Sequence, residues 1–244
     1  MSNGIIYYTN NKLCPKYSNI FYTVQKYIKD SGLPIVNCSW KSMDFGENIV
    51  IDTKGLGSCY MTMARQILMA LEASTADNVF FCEHDTLYHP SHFEFTPEMD
   101  DVYYYNVNVW RWLFPKDYLI SYETLASLSG LCCNRELAIR HYRLRFKMIE
   151  ELQLPHSRDP QWARIWGYEP GRKKKERGGL TDEESVLIKS RLPNVDIRHS
   201  RCFSNSPMFS HQFRNLPPDL TVAGIDDIPG WNLRELFGIS KSEL

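Results

Sequence analysis

The chain has 244 residues, enough for one domain of ordinary size or two small ones. Charged side chains make up 23% and apolar ones 43%, with 28 basic against 29 acidic residues and a net charge of −1. These values exclude a disordered polyelectrolyte, a fibrous repeat and a protein that coats nucleic acid through bulk positive charge.

Strand and helix signals alternate from the start. GIIYYTN (4–10) is a short apolar run ending in polar residues, which predicts a buried strand feeding a loop. Ser18 is placed as the N-cap of a helix to about Asp30, with Phe21, Val24, Tyr27 and Ile28 at helical spacing. PIVNCSW (34–40) and NIVID (48–52) predict two further strands. A loop from Thr53 to Ser58 opens a helix over 59–74, whose apolar face is Tyr60, Ala64, Ile67, Leu68 and Leu71. NVFFC (78–82) and DVYYYNVNVW (101–110) each predict one strand. SLSGLCCN (127–134) is a short strand or turn before a helix from Arg135 to about Leu152. Residues 153–179, rich in Pro, Gly, Trp and basic side chains, predict a long functional loop. TDEESVLIKSRL (181–192) predicts a helix with Thr181 as N-cap and Glu184 at the third position of a capping box. VDIRHS (195–200) is a last strand, and the final 40 residues predict an irregular wrap. The order predicts an α/β fold with a mostly parallel central sheet flanked by helices, in which ligands bind beyond the carboxyl ends of the strands.

The near-neutral charge hides a split. Residues 1–122 carry 9 basic and 13 acidic side chains, residues 123–244 carry 19 and 16, and 131–178 alone carry 12 against 6. Seven cysteines without CxxC spacing read as free thiols in a reducing compartment. With neither an export signal nor an apolar run long enough to span a membrane, a cytoplasmic location is expected.

Chemistry concentrates where strand 78–82 ends. Glu83-His84-Asp85 is an acid-x-acid triplet able to hold a hard divalent cation beside a diphosphate. The stretch GLGSCYMTMARQILMALEASTADNVFFCEHDTLYHP carries Gly57 and Ser58, then Ala64-Arg65-Gln66, Ala73, an apolar strand and the triplet. In this sequence of features it resembles the nucleotide-binding core of GT-A fold glycosyltransferases, family 2 above all, closely over about 35 residues and loosely over 4–200. Gln66 stands where that family has Asn, and Glu-His where it has Asp-x.

The resemblance implies one GT-A-like domain over 1–244, with a nucleotide-sugar half (1–122) and an acceptor half (123–244). It implies a UDP-sugar donor, Mn²⁺ or Mg²⁺, and single displacement with inversion. The donor residues it points to are Thr9, Asn10, Gly57, Ser58, Arg65, Glu83 and His84, with the metal on Asp85, Glu83 and His199. Glu183 and Glu184 match the family's acidic helix start, making Glu184 a catalytic base as well as a capping residue, and Glu169 in WGYEPG is the second candidate. The basic run from Arg172 to Arg177 reads as a solvated loop or as a lid over phosphate. The FFCEHD…YHPSHF segment is also similar to small phage-type glycosyltransferases, so hydroxymethylated pyrimidines in DNA are the leading acceptor and a glycan or lipid-linked sugar the alternative. Two readings of other classes stand beside it: a metal-dependent hydrolase built on His84, Asp85, His89 and His92, and an inactive nucleotide-binding module.

Overall fold

The computed structural model describes residues 1–12, 18–151, 169–172, 184–200, 202 and 207–240. Cys14, the side chain of Ser18, residues 152–168, the basic run 173–177 and Thr181–Glu183 lie outside the described residues. The chain begins β1 (Asn3–Thr9), α1 (Ser18–Lys29), β2 (Ile35–Ser39), β3 (Glu47–Val50), α2 (Tyr60–Ala73) and β4 (Asn78–Glu83). It continues with β5 (Thr86–Leu87), β6 (Val102–Asn106), β7 (Val109–Leu113), β8 (Tyr118–Ser121), β9 (Leu131–Asn134) and α3 (Arg135–Glu151). Then come β10 (Glu184–Ile188), β11 (Asn194–Arg198), β12 (Thr221–Gly224) and α4 (Leu233–Phe237).

Seven strands form the central sheet in the order β3-β2-β1-β4-β9-β6-β10, all pairs parallel except those made by β9. The α/β class with a mostly parallel, helix-flanked sheet is therefore as the sequence predicts. The chain steps outward from β1 to β3 and then returns through α2 to β4, on the other side of β1. That reversal is a topological switch point, and the crevice beyond the carboxyl ends of β1 and β4 is where such sheets bind ligands.

Period-two alternation divides the strands between two cores. Ile6 and Tyr8 of β1 pack with Val79 and Phe81 of β4 under α2 and α3. Ile5 and Tyr7, with Phe80 and Cys82, face the opposite side. There they meet Ile20, Phe21, Val24 and Ile28 of α1 and a second sheet, ordered β12-β8-β7-β11-β5. Each fully buried side chain of this size contributes about 2 kcal/mol over its exposed state, which makes both faces necessary to the fold.

Three predicted elements need correction. Residues 101–110 are two strands in different sheets, not one. Asn106 makes the break: its Oδ1 accepts from the N–H groups of Asn108 (3.0 Å) and Ser190 (3.1 Å) and turns the chain between layers. Residues 184–188 are the edge strand β10 rather than a helix, paired Val186 to Tyr104 along β6. The β-branched Val186 and Ile188 suit an edge next to a free strand, and that partner overrides the local helix pattern. The C-terminal wrap is partly core: Ile225, Ile228, Trp231, Leu233 and Phe237 are buried, and Trp231 Nε1 donates to Pro193 O at 2.7 Å.

Among the described residues no helix is long and apolar enough to cross a membrane. Cys38, Cys59, Cys82, Cys132, Cys133 and Cys202 are free thiols.

Candidate active site

A cleft of about 210 Å³, open to solvent, sits at the switch point. Its walls come from Tyr8, Thr9 and Asn10 at the end of β1, Trp40 after β2, Ser58, Cys59, Thr62 and Gln66 at the start of α2, and Glu83-His84-Asp85 at the end of β4. The second sheet adds Arg111, Asp196 and Arg198, and the loops add Ser127, Ser129 and Glu169. Thr9, Asn10, Ser58, Glu83, His84 and Asp85, singled out from sequence, are thus brought together.

The loop before α2 needs glycine: Gly55 and Gly57 hold φ values of 76° and 68°, a region side chains avoid. Gly57 O accepts from Thr62 Oγ1 at 2.8 Å, and Ser58 Oγ accepts from Asn10 Nδ2 at 3.1 Å, joining this loop to the end of β1. The start of α2 lines the cleft and its N-cap, Cys59, makes no side-chain cap bond, an arrangement that favours phosphate at a helix N-terminus. Gln66, the departure from the family pattern, has a clear local role. Its buried Nε2 donates to Thr9 O and Cys38 O, both at 2.8 Å, and so pins the ends of β1 and β2 to α2.

Glu83 and Asp85 stand in different surroundings. Glu83 accepts from Tyr8 Oη at 2.7 Å, and burial, with the Asp85 charge, pushes its carboxyl up to about 8. Burial would raise Asp85 too, but His84, Arg198, His199 and the thiol of Cys202 outweigh it and hold Asp85 below the usual carboxylate range. Of the two, Glu83 is the carboxyl that keeps a proton to higher pH and Asp85 the one that keeps its charge.

His84, Asp85 and His199 offer ligand atoms that all lie within 4.8 Å of one another. His84 Nδ1 bonds Thr9 Oγ1 at 3.2 Å, which leaves its Nε2 buried without a partner. A buried imidazole held through one nitrogen, with the other unpartnered, beside a carboxylate and a second imidazole is an arrangement able to hold a metal ion. Two imidazoles and one carboxylate suit Mn²⁺ better than Mg²⁺, which prefers oxygen alone. Cys202 closes the back of the cluster: its thiol donates to Asp85 Oδ2 at 3.3 Å, and His199 N–H donates to its sulfur at 3.2 Å.

Sequence reasoning missed the cationic wall. Arg111 Nε bonds Asp196 Oδ2 at 3.1 Å and Arg198 bonds Asp196 Oδ1 at 3.4 Å, all three side chains being at most 13% exposed. The available signal was period two. Asp196 and Arg198 flank the buried Ile197 on β11, and Arg111 precedes the buried Trp112 on β7.

Other predicted residues fall elsewhere. Arg65 is half-buried on α2 and does not line the cleft. Glu184 is exposed at the start of the edge strand, also away from the cleft, whereas Glu169 lines it. The segment carrying Glu169 is anchored by Tyr105 Oη donating to Pro170 O at 2.6 Å. Gly171 follows at φ 70°, where a Cβ would meet Tyr103 at 2.7 Å. The histidines of the hydrolase reading are dispersed. His89 bonds Ser91 at 3.0 Å, and His92 lies among Phe80, Tyr88 and Phe93 with its Nδ1 on Asn106 at 3.0 Å.

Burial lowers His92 to about 3, so it is neutral in the fold while the unfolded chain protonates it near 6.5. The unfolded state then binds more protons between those values, and stability falls as pH drops below 6.5. Between pH 6.5 and 5 this group alone removes about 2 kcal/mol. Urea unfolding should show a shallower pH dependence in His92→Gln, and an identical slope would refute the assignment.

No protein-family model and no curated protein matches the sequence. Among solved structures, the chain is similar to a glycosyltransferase involved in glycosylation of the major capsid of PBCV-1, with 9% identity over 78% of this chain and 82% of that one and a TM-score of 0.40. S. aureus TarS 1–349 in complex with UDP-GlcNAc gives 9% identity over 86% and 62%, TM-score 0.40. A nucleotidyl transferase from Methanothermobacter thermautotroptrophicus gives 9% identity over 62% and 83%, TM-score 0.37.

Proposed function

We propose that the chain is a single GT-A-type glycosyltransferase domain, its first half holding a UDP-sugar and its second half the acceptor. The observation that carries this reading is the meeting, at one switch point, of the His84–Asp85–His199 cluster with the phosphate-favouring start of α2. Asn10, Gly57 and Ser58 position the nucleotide side of the donor, and Arg111 and Arg198 face the diphosphate. His84, Asp85 and His199 would hold a divalent ion, Mn²⁺ by donor chemistry, which when bound would supply Lewis-acid stabilisation of charge on the leaving UDP. Glu83, held by Tyr8, acts as a support rather than a ligand.

Glu169, and not Glu184, is the base in this reading, because it lines the cleft. It takes the acceptor hydroxyl proton as the new C–O bond forms and the anomeric bond to diphosphate breaks, with inversion. The DNA acceptor suggested by the sequence depends on the basic segment 131–178. Much of that segment lies outside the described residues, and on α3 Arg143 is paired with Glu72 and Lys147 with Glu151. DNA is therefore one arm of the test.

The test incubates the protein with Mn²⁺ and a panel of UDP-sugars. Neutral glycans or DNA containing 5-hydroxymethylcytosine serve as acceptors, and UDP release is read alongside product mass. Transfer to one acceptor is expected. UDP binding without transfer under any metal would establish the inactive binding module instead. Glu169→Gln should lower transfer roughly a hundredfold or more with UDP affinity unchanged, while Glu184→Gln stays within about twofold of wild type. The reverse ranking would move the base to β10.

A further inference from the structure

Glu169 reaches the cleft from a short turn, residues 169–172, that belongs to no helix or strand. Arg172 N–H donates to Glu169 O at 3.4 Å and closes it. A bond of that length does little to fix a carboxylate, so the place of Glu169 depends on what the turn is fastened to.

The far edge of the central sheet supplies the fastening. Strand β9 runs antiparallel to both β4 and β6, so the carboxyl end of β6 lies on the cleft side of the sheet together with that of β4. Tyr105, next to last on β6 and fully buried, donates from Oη to the carbonyl of buried Pro170 at 2.6 Å. Two residues back, Tyr103 pairs with Ser185 of β10, and Ser185 Oγ donates to Gly171 O at 3.1 Å. Gly171, at φ 70°, sits so close to both strands that a Cβ would come within 2.7 Å of the Tyr103 ring and 2.9 Å of Glu184 O. The two carbonyls that follow Glu169 are thus each bonded by a side chain from a different strand. Neither hydroxyl takes part in strand pairing, so β6 and β10 do not need these bonds to form; the turn does.

We infer that Tyr105 and Ser185 are positioning residues, holding the turn so that Glu169 enters the cleft at a fixed place, with Tyr105 bearing the larger share. The inference rests on Glu169 as the base and deepens that reading by naming what aims it. It also gives β10 a part in the reaction, although Glu184 itself stands away from the cleft. A misplacement of about 1 Å at a reacting group can cost about a hundredfold in rate, which is the scale on which such a clamp matters.

Tyr105→Phe keeps the buried ring and removes only the hydroxyl. Its kcat for transfer is expected to fall about tenfold, with donor KM, UDP affinity and Mn²⁺ affinity unchanged. Ser185→Ala should lose about threefold. In a Glu169→Gln background, Tyr105→Phe should add less than about twofold, because the group it aims is gone. Hydrogen exchange reads the turn directly and needs no acceptor. The Gly171 and Arg172 amides should exchange faster in Tyr105→Phe while the β6 amides keep wild-type protection. Wild-type exchange at those two amides, a further loss of about tenfold in the Glu169→Gln background, or a defect confined to donor KM would each overturn the inference. Wild-type transfer by Glu169→Gln would instead overturn the base reading and end the catalytic role of the clamp, even with faster exchange in Tyr105→Phe.

Discussion

Asp85→Asn is expected to abolish Mn²⁺ binding and to lower sugar transfer about a thousandfold, while Glu83→Gln stays within about tenfold of wild type. The two carboxylates are two residues apart in one motif, yet their surroundings separate them. Asp85 is the buried anion on which His84, His199 and Cys202 converge, and neighbouring positive charge keeps it ionised. Removing that charge leaves two imidazoles, too weak a donor set for Mn²⁺ at ordinary concentrations. Loss of Lewis-acid stabilisation worth about 4 kcal/mol is a factor of about a thousand in rate. Glu83 keeps its proton to higher pH than Asp85, so glutamine reproduces its shape and its bond from Tyr8 Oη. Mn²⁺ titration by calorimetry and UDP release, with circular dichroism as a check on folding, decide the matter. Retained Mn²⁺ affinity in Asp85→Asn would remove the metal assignment. Equal damage from Glu83→Gln would restore the acid-x-acid pair as joint ligands.

The same contrast explains what could be read before the structure. The strands β1 to β4 and the helices between them follow from apolar runs bounded by loops, because both faces of a parallel sheet are buried and leave long hydrophobic segments. The placement of Thr9, Asn10, Ser58 and the Glu83–Asp85 triplet followed in turn, since they end neighbouring strands or, for Ser58, open the helix that joins the sheet's two halves. The second sheet was hidden by its short strands. Tyr118–Ser121 and Thr221–Gly224 have four residues each, too few for periodicity to register, and β6 runs into β7 without a glycine or proline to mark the break. The strand β10 was hidden by a sequence that satisfies a capping box locally but acquires a partner in β6 from a distant part of the chain. His199 could be named from its position at a strand end. Arg111 and Asp196 could not, because they stand 85 residues apart and meet only through the pairing of β7 with β11.

That pairing carries the second large expectation: Asp196→Ala should destabilise the fold by about 3–5 kcal/mol, and Arg111→Met by clearly less. Asp196 gives one carboxylate oxygen to each of two guanidiniums, with its own side chain 9% exposed. Solvent screening is therefore slight, and removing the anion leaves two cations facing each other without the carboxylate that joins them. Removing Arg111 instead leaves Asp196 still bonded to Arg198, and methionine refills much of the space beside the Tyr122 ring. Urea denaturation of both variants and of the double variant measures the coupling, which should make the double variant less damaged than the sum of the two. Equal losses in the single variants would mean that the two arginines do not share the carboxylate. Inorganic pyrophosphate supplies a further discrimination. If Arg111 and Arg198 face the diphosphate of the donor, an added anion takes over part of the lost role of Asp196, and pyrophosphate should raise the melting temperature of Asp196→Ala more than that of wild type. A smaller shift in the variant would place the arginine pair in the architecture of the second sheet alone and remove it from the donor site.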